Sequence, residues 1–120
     1  IIKFEFPNPY SVYVHDTPSK GLFNQSYRSY SHGCMRCERP VELAKVMLHY
    51  DSLGKKSNPI TGDSLDSLLA LQTNHPLRLL SPVPIFVEYQ TVVADRQGIY
   101  FHHDLYSRET SLVKILLNGK

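Results

Sequence analysis

The chain has 120 residues, 42% of them hydrophobic and 20% charged, with a formal net charge of +2. That length suits one compact domain, and that balance suits a packed core, which excludes intrinsic disorder as the default state. The Lys and Arg residues are scattered and the charge is small, which argues against nucleic acid as a partner. No apolar run approaches the roughly 20 residues of a membrane helix.

The first third reads as strands and turns. Ile2, Phe4 and Phe6 alternate with Lys3 and Glu5, the period of a half-buried strand. Residue 1 is Ile rather than Met, and Ile1 already stands in strand-like sequence, so we expect a piece of a longer chain, with any targeting signal upstream of it. Pro7-Asn8-Pro9 is a turn, and Ser11 to His15 is a second strand rich in β-branched and aromatic residues. Asp16 to Gly21 breaks it. Leu22 to Ser31 is polar and aromatic without a period, a loop suited to line a cleft.

A helix is expected from about Glu38, with Pro40 in its first turn. Val41, Ala44 and Leu48 form its apolar face, continued by Leu43, Met47 and Tyr50. Gly54 to Pro59 interrupts, and the Lys55-Lys56 pair in it reads as solvated loop. Asp63 would cap a short helix carrying Leu65, Leu68, Leu69 and Gln72. Ile85 to Thr91 reads as a strong strand. Asp95-Arg96-Gln97-Gly98 reads as a hairpin turn into a strand at Ile99 to His103. Arg108 to Leu117 reads as a helix ended by Asn118-Gly119. This order excludes the regular alternation of a doubly wound sheet and favours a mainly β or α+β domain.

The chemistry gathers in Ser31-His32-Gly33-Cys34-Met35-Arg36. A cysteine nucleophile works as the thiolate, while a free thiol titrates near about 8.5. A helix expected just downstream, together with Arg36, Arg39, His32 and His15, supplies positive charge to lower that value. Gly33 permits a tight turn, and the Gly33 and Cys34 N–H groups are candidates to hold an oxyanion. His15 ends a strand with a turn behind it, a rigid platform for a base.

His15 followed after fifteen residues by Ser31-His32-Gly33-Cys34-Met35-Arg36 resembles the pattern of the YkuD-type L,D-transpeptidases. Phe6-Pro7-Asn8, Val14-His15-Asp16-Thr17-Pro18, Gly21-Leu22-Phe23-Asn24, Tyr27-Arg28 and Pro84 to Thr91 resemble the YcbB-like branch of that family. The likeness runs from about residue 2 to residue 106.

The resemblance implies a β-sandwich fold, with the N-terminal part of the sheet absent from this chain. It implies that Cys34 attacks the carbonyl between the third and fourth residues of a peptidoglycan stem tetrapeptide, releasing D-Ala and leaving a thioester. The amine of a second stem's diamino acid then forms a 3→3 cross-link. It implies His15 as the base, a carbonyl at or beside Asp16 as its orienter, and the N–H groups of Gly33 and Cys34 as the oxyanion site. Ser31, His32, Tyr30 and Arg36 would bind substrate, with Arg36 suited to pair a carboxylate. Carbapenem-type β-lactams are expected to acylate Cys34, no cofactor or metal is implied, and the compartment is the periplasm or cell envelope. Arg36 stands where many members carry Asn, and Cys37 has no family role.

Other readings of the same residues stand beside this one. Cys34 can be a buried structural thiol. Cys34 and Cys37 match a redox Cys-x-x-Cys, although the βαβ setting of such motifs is missing. His32, Cys34 and Cys37 with one of His15, His102 or His103 have the ligand types of a zinc site, at an awkward spacing. A papain-like peptidase would put its Cys before its His, and here His15 comes first. A carboxypeptidase would end in hydrolysis instead of transfer. Among the eight tyrosines, Tyr27 or Tyr30 is a candidate for the wall of a cleft.

Overall fold

The computed structural model describes residues 2–54, 56 and 58–118, the side chain of Leu112 apart. The strand start at Ile1, the Lys55 half of the lysine pair and the Gly119 helix stop lie outside the described residues. Contacts divide the chain into two compact units, Ile1–Ile85 and Phe86–Lys120, taken in turn.

In the first unit a three-stranded sheet runs β1 (Lys3–Phe4), β2 (Val14–His15), β3 (Met35–Arg36), in that order. β1 and β2 are antiparallel, pairing Lys3 with His15 and Phe4 with Val14. β2 and β3 are parallel, pairing Val14 with Met35 and His15 with Arg36. The alternation read from the sequence holds, since Ile2, Phe4 and Phe6 are half-buried and Lys3 and Glu5 exposed.

The strand expected from Ser11 starts only at Val14, because Asn8 takes over the backbone before it. Its amide donates to the carbonyls of Phe6 (2.9 Å) and Val12 (2.8 Å), and its Oδ1 accepts the N–H groups of Tyr10 (3.0 Å) and Val12 (3.2 Å). A side chain that satisfies these groups competes with a sheet ladder. Ser11 sits at φ +54°, which no strand residue adopts. A 3-10 turn at Lys20–Asn24 opens the segment read as loop.

Helix α1 (Pro40–Ser52) begins two residues later than expected. The reason is Pro40, since a residue ahead of proline is pushed out of the helical region, and Arg39 sits at φ −123°, ψ 64°. Helix α2 (Gly62–Ala70) is capped at Thr61, not Asp63, which falls in its first turn. Ser64 Oγ accepts the Thr61 N–H at 2.8 Å, the reach-back half of a capping box. Gln72 lies beyond the helix at φ +52°.

Ala44, Leu48 and Leu65 form the buried core, with Ile2, Phe4, Ile60, Leu69, Leu77 and Leu79 packed on it. The apolar face of β1 thus rests on the α1–α2 pair. Leu43 and Tyr50 are exposed, because they fall on helix positions off the Ala44–Leu48 line. Asp51, fully buried on α1, accepts the Ser81 N–H at 2.5 Å and ties that segment to the helix.

In the second unit β4 (Val92–Ala94) and β5 (Ile99–Phe101) form the expected hairpin. Asp95 Oδ1 accepts the N–H groups of Gln97 (2.7 Å) and Gly98 (3.0 Å) and shapes the turn. Helix α3 (Arg108–Asn118) follows. Ile85 to Thr91, expected as a strand, has no ladder partner among the described residues and is mostly exposed, Thr91 alone being buried. Alternation favours an extended chain but does not supply a neighbour to bond. Helices and a few strands make up the chain, and helix outweighs strand: α1, α2 and α3 span 13, 9 and 11 residues, the strands two or three each. The α+β expectation holds in that form, without the weight of β expected.

Candidate active site

The β2–β3 pairing brings the two halves of the motif together. His15 and Arg36 are register partners, and partners in a ladder project to the same face. Side chains alternate along a strand, so Cys34 shares the face of Arg36, and Met35 and Cys37 take the other. The cleft agrees with this parity. A hollow of ≈ 380 Å³ is lined by His15, Tyr30, Ser31, His32, Gly33, Cys34 and Arg36, together with Tyr10, Ser11 and Val12. Asp16 does not line it, nor do Tyr27 and Cys37.

His15 is held at its inner nitrogen. Nδ1 lies 2.5 Å from the carbonyl oxygen of Asp16. A carbonyl only accepts, so Nδ1 carries the proton and the neutral ring keeps its lone pair on Nε2. The Tyr13 ring meets the imidazole edge-on, with centroids 5.5 Å apart. Lys3, opposite His15 on β1, sets its ammonium 4.3 Å from the centre of the Tyr13 ring. A hydrogen bond to Glu5, opposed by desolvation, raises the Lys3 pKa above its ordinary value.

The turn before Cys34 is closed by Ser31. Its hydroxyl donates to the Cys34 carbonyl at 2.5 Å and accepts the Gly33 N–H at 3.2 Å. The Gly33 N–H expected at an oxyanion is therefore occupied by Ser31 in this state. Gly33 has φ +156°, and a Cβ there would meet Val12 Cγ1 at 3.0 Å. The backbone favours glycine, and a Cβ would need Val12 to give by a few tenths of an ångström.

Cys34 leads into β3 and not directly into a helix, as α1 begins only at Pro40. The α1 N-terminus therefore does not adjoin Cys34, and the basic side chains that share its cleft are His15, His32 and Arg36. Asp16 is ionised more readily than usual: the hydrogen bond from Lys20 is the main cause, with the Thr17 N–H adding to it against desolvation.

Cys34 and Cys37 are both free, and their opposite faces disfavour a local bridge. Among the described residues no three His, Cys, Asp or Glu side chains come together as a metal site. His102 and His103 are exposed past the end of β5.

Sequence reasoning missed Tyr10, Ser11 and Val12 in the cleft wall, and Lys20 behind it. The signal for the first three was Asn8 between two prolines, a side chain suited to fold the next residues back. Lys20 left no signal, because its partners include carbonyls 17 and 18 residues away.

The YkuD family model, described as the L,D-transpeptidase catalytic domain, matches residues 1–85. The match ends where the first unit ends. A Haemophilus influenzae protein named "Putative L,D-transpeptidase" is 31% identical over 115 residues, which are 94% of this chain and 22% of that protein. The chain thus spans less than a quarter of that relative's length.

Proposed function

This chain belongs to the YkuD family of L,D-transpeptidase catalytic domains, and on that premise we propose that it forms 3→3 cross-links in peptidoglycan through a thioester on Cys34. The observation that carries the reading is that Cys34 and His15 line one cleft, with His15 Nδ1 bonded to the Asp16 carbonyl and Nε2 left as the basic nitrogen.

In this reading Nε2 of His15 takes the thiol proton, and Sγ attacks the carbonyl between the third and fourth residues of a stem tetrapeptide. The Cys34 N–H holds the oxyanion, and the Gly33 N–H joins it when the Ser31 hydroxyl turns away. The tetrahedral centre collapses, the D-Ala nitrogen takes the proton from His15, and D-Ala leaves. The amine of a diamino acid on a second stem attacks the thioester and gives its proton to His15, and Cys34 is restored. Arg36 pairs a substrate carboxylate, and Tyr30, Ser31 and His32 shape the donor's path. The fold that accompanies this reading is the family's β-sandwich, to which β1–β3 contribute part.

A peptidoglycan substrate places the reaction in the periplasm or cell envelope. Among the described residues no helix is long and apolar enough to cross a membrane.

The test is intact-protein mass spectrometry with a carbapenem, on the native protein, Cys34→Ala and His15→Ala. We expect one adduct, absent in Cys34→Ala and formed about a hundredfold more slowly in His15→Ala. An adduct that survives Cys34→Ala overturns Cys34 as nucleophile. A tetrapeptide donor with a diamino acid acceptor then separates cross-linking from hydrolysis by product mass.

A further inference from the structure

Lys20 has the position of a latch. Its ammonium donates to Asp16 Oδ1 at 2.8 Å, to the Cys37 carbonyl at 3.2 Å and to the Glu38 carbonyl at 2.6 Å. An ammonium has three N–H bonds, so each one is used. These acceptors come from two separate stretches, one just past β2 and one just past β3. Asp16 is also the residue whose carbonyl holds His15 Nδ1. Cys37 is the residue whose N–H bonds the His15 carbonyl at 2.7 Å. Lys20 does not line the cleft, so whatever it does there runs through His15 and Cys34.

A half-exposed lysine with one partner would mean little, because such pairs contribute little and are screened. Three acceptors from two strand ends are a different case. We infer that Lys20 is a positioning residue, which clamps the end of the His15 strand to the segment behind Cys34 and so sets the imidazole against the thiol. The inference rests on the Cys34–His15 reading above. The depressed pKa of Asp16, caused chiefly by Lys20, is consistent with it.

A positive group held beside a thiol favours the thiolate, so a change in how His15 is set against Cys34 is read in the pH dependence of alkylation. The other charged or titratable groups around the pair are Lys3 from β1 and its partner Glu5 just past it, Tyr13 just ahead of β2, and Arg36 from β3. Tyr10, Tyr30 and His32 come from the loops. None of these groups bonds to the Lys20 ammonium.

The experiment follows alkylation of Cys34 by iodoacetamide against pH in the full-length protein. Variants are Lys20→Met, Lys20→Arg and His15→Ala, each checked for folding by circular dichroism. Trypsin cuts after Arg36, between the two cysteines, so each is read separately by mass. Lys20→Met is expected to move the Cys34 midpoint upward, in the same direction as His15→Ala, and to slow carbapenem acylation about tenfold. Lys20→Arg is expected to restore part of both. A folded Lys20→Met with the native midpoint overturns the inference, whatever its acylation rate. Lys20→Gln takes its place if Lys20→Met does not fold. A His15→Ala midpoint equal to the native one removes the reading beneath the inference, and that arm alone reports it.

Discussion

The carbonyl oxygen of Asp16 lies 2.5 Å from Nδ1 of His15, so the ring is oriented by the main chain of its own neighbour. The carboxylate of Asp16 faces elsewhere, to Lys20 and the Thr17 N–H. Asp16→Ala keeps the carbonyl and loses the carboxylate. It is therefore expected to slow acylation of Cys34 about tenfold, against about a hundredfold for His15→Ala. Stopped-flow acylation rates check this. Equal losses would make the carboxylate the orienter. If the carboxylate acts through Lys20, the double variant with Lys20→Met is no slower than the worse single one.

At Gly33 two obstacles combine, a left-handed backbone and Val12 Cγ1 at 3.0 Å from any added Cβ. Gly33→Ala is expected to cost about 1–3 kcal/mol of stability and to displace Cys34. Adding Val12→Ala relieves the contact but not the backbone, so recovery should be partial. Urea unfolding of the three variants measures it, and full recovery would assign the cost to the contact alone.

Leu48 is 4% exposed and sits between Ala44 and Leu65 under the sheet. Leu48→Ala is expected to destabilise the first unit by about 2–5 kcal/mol, whereas Leu43→Ala on the exposed side of α1 should change stability little. Denaturant midpoints distinguish the two. Similar midpoints would mean that the helix pair is not the core.

The second unit carries a pH-sensitive helix start. Asp104 accepts the Tyr89 hydroxyl (2.6 Å) and the N–H groups of Arg108 (3.1 Å) and Glu109 (2.9 Å). The Tyr89 hydrogen bond is the main reason its pKa lies below the ordinary 3.8. A depressed carboxyl stabilises the fold above its unfolded pKa, and that contribution is lost as pH falls through the folded one. The Arg108 and Glu109 amide signals are thus expected to hold at pH 5 and to shift only below about 3.8. Tyr89→Phe should bring that transition to higher pH. An NMR titration of the two amides follows both, and an unchanged transition in Tyr89→Phe would remove the tyrosine from the cap.

Much of the site was legible along the chain because its parts are local. The glycine ahead of the cysteine and the alternation of β1 are set by neighbours a few residues apart, and the spacing from His15 to Cys34 is read by counting along the chain. The same holds for the hairpin at Asp95 and the helices, whose apolar periods and breakers lie within single windows. Ala44, Leu48 and Leu65 were readable for that reason, and so was the family.

Errors arose where a residue's fate depends on partners distant in sequence. Ile85 to Thr91 has the composition of a strand, but a strand exists only where another chain segment accepts its hydrogen bonds. Asn8 shortened β2 by satisfying backbone groups that the ladder would have used.

The sequence alone pointed to Cys34 and His15 as the candidate pair and to the family, since both readings depend on residue type and spacing. Folding assigned the faces. The parallel register of β2 on β3 put His15, Cys34 and Arg36 on one side and Cys37 on the other. It also gave Asp16 a backbone role and Lys20 three acceptors drawn from two strand ends. Register and hydrogen-bond partners are long-range properties, and no window of the chain contains them.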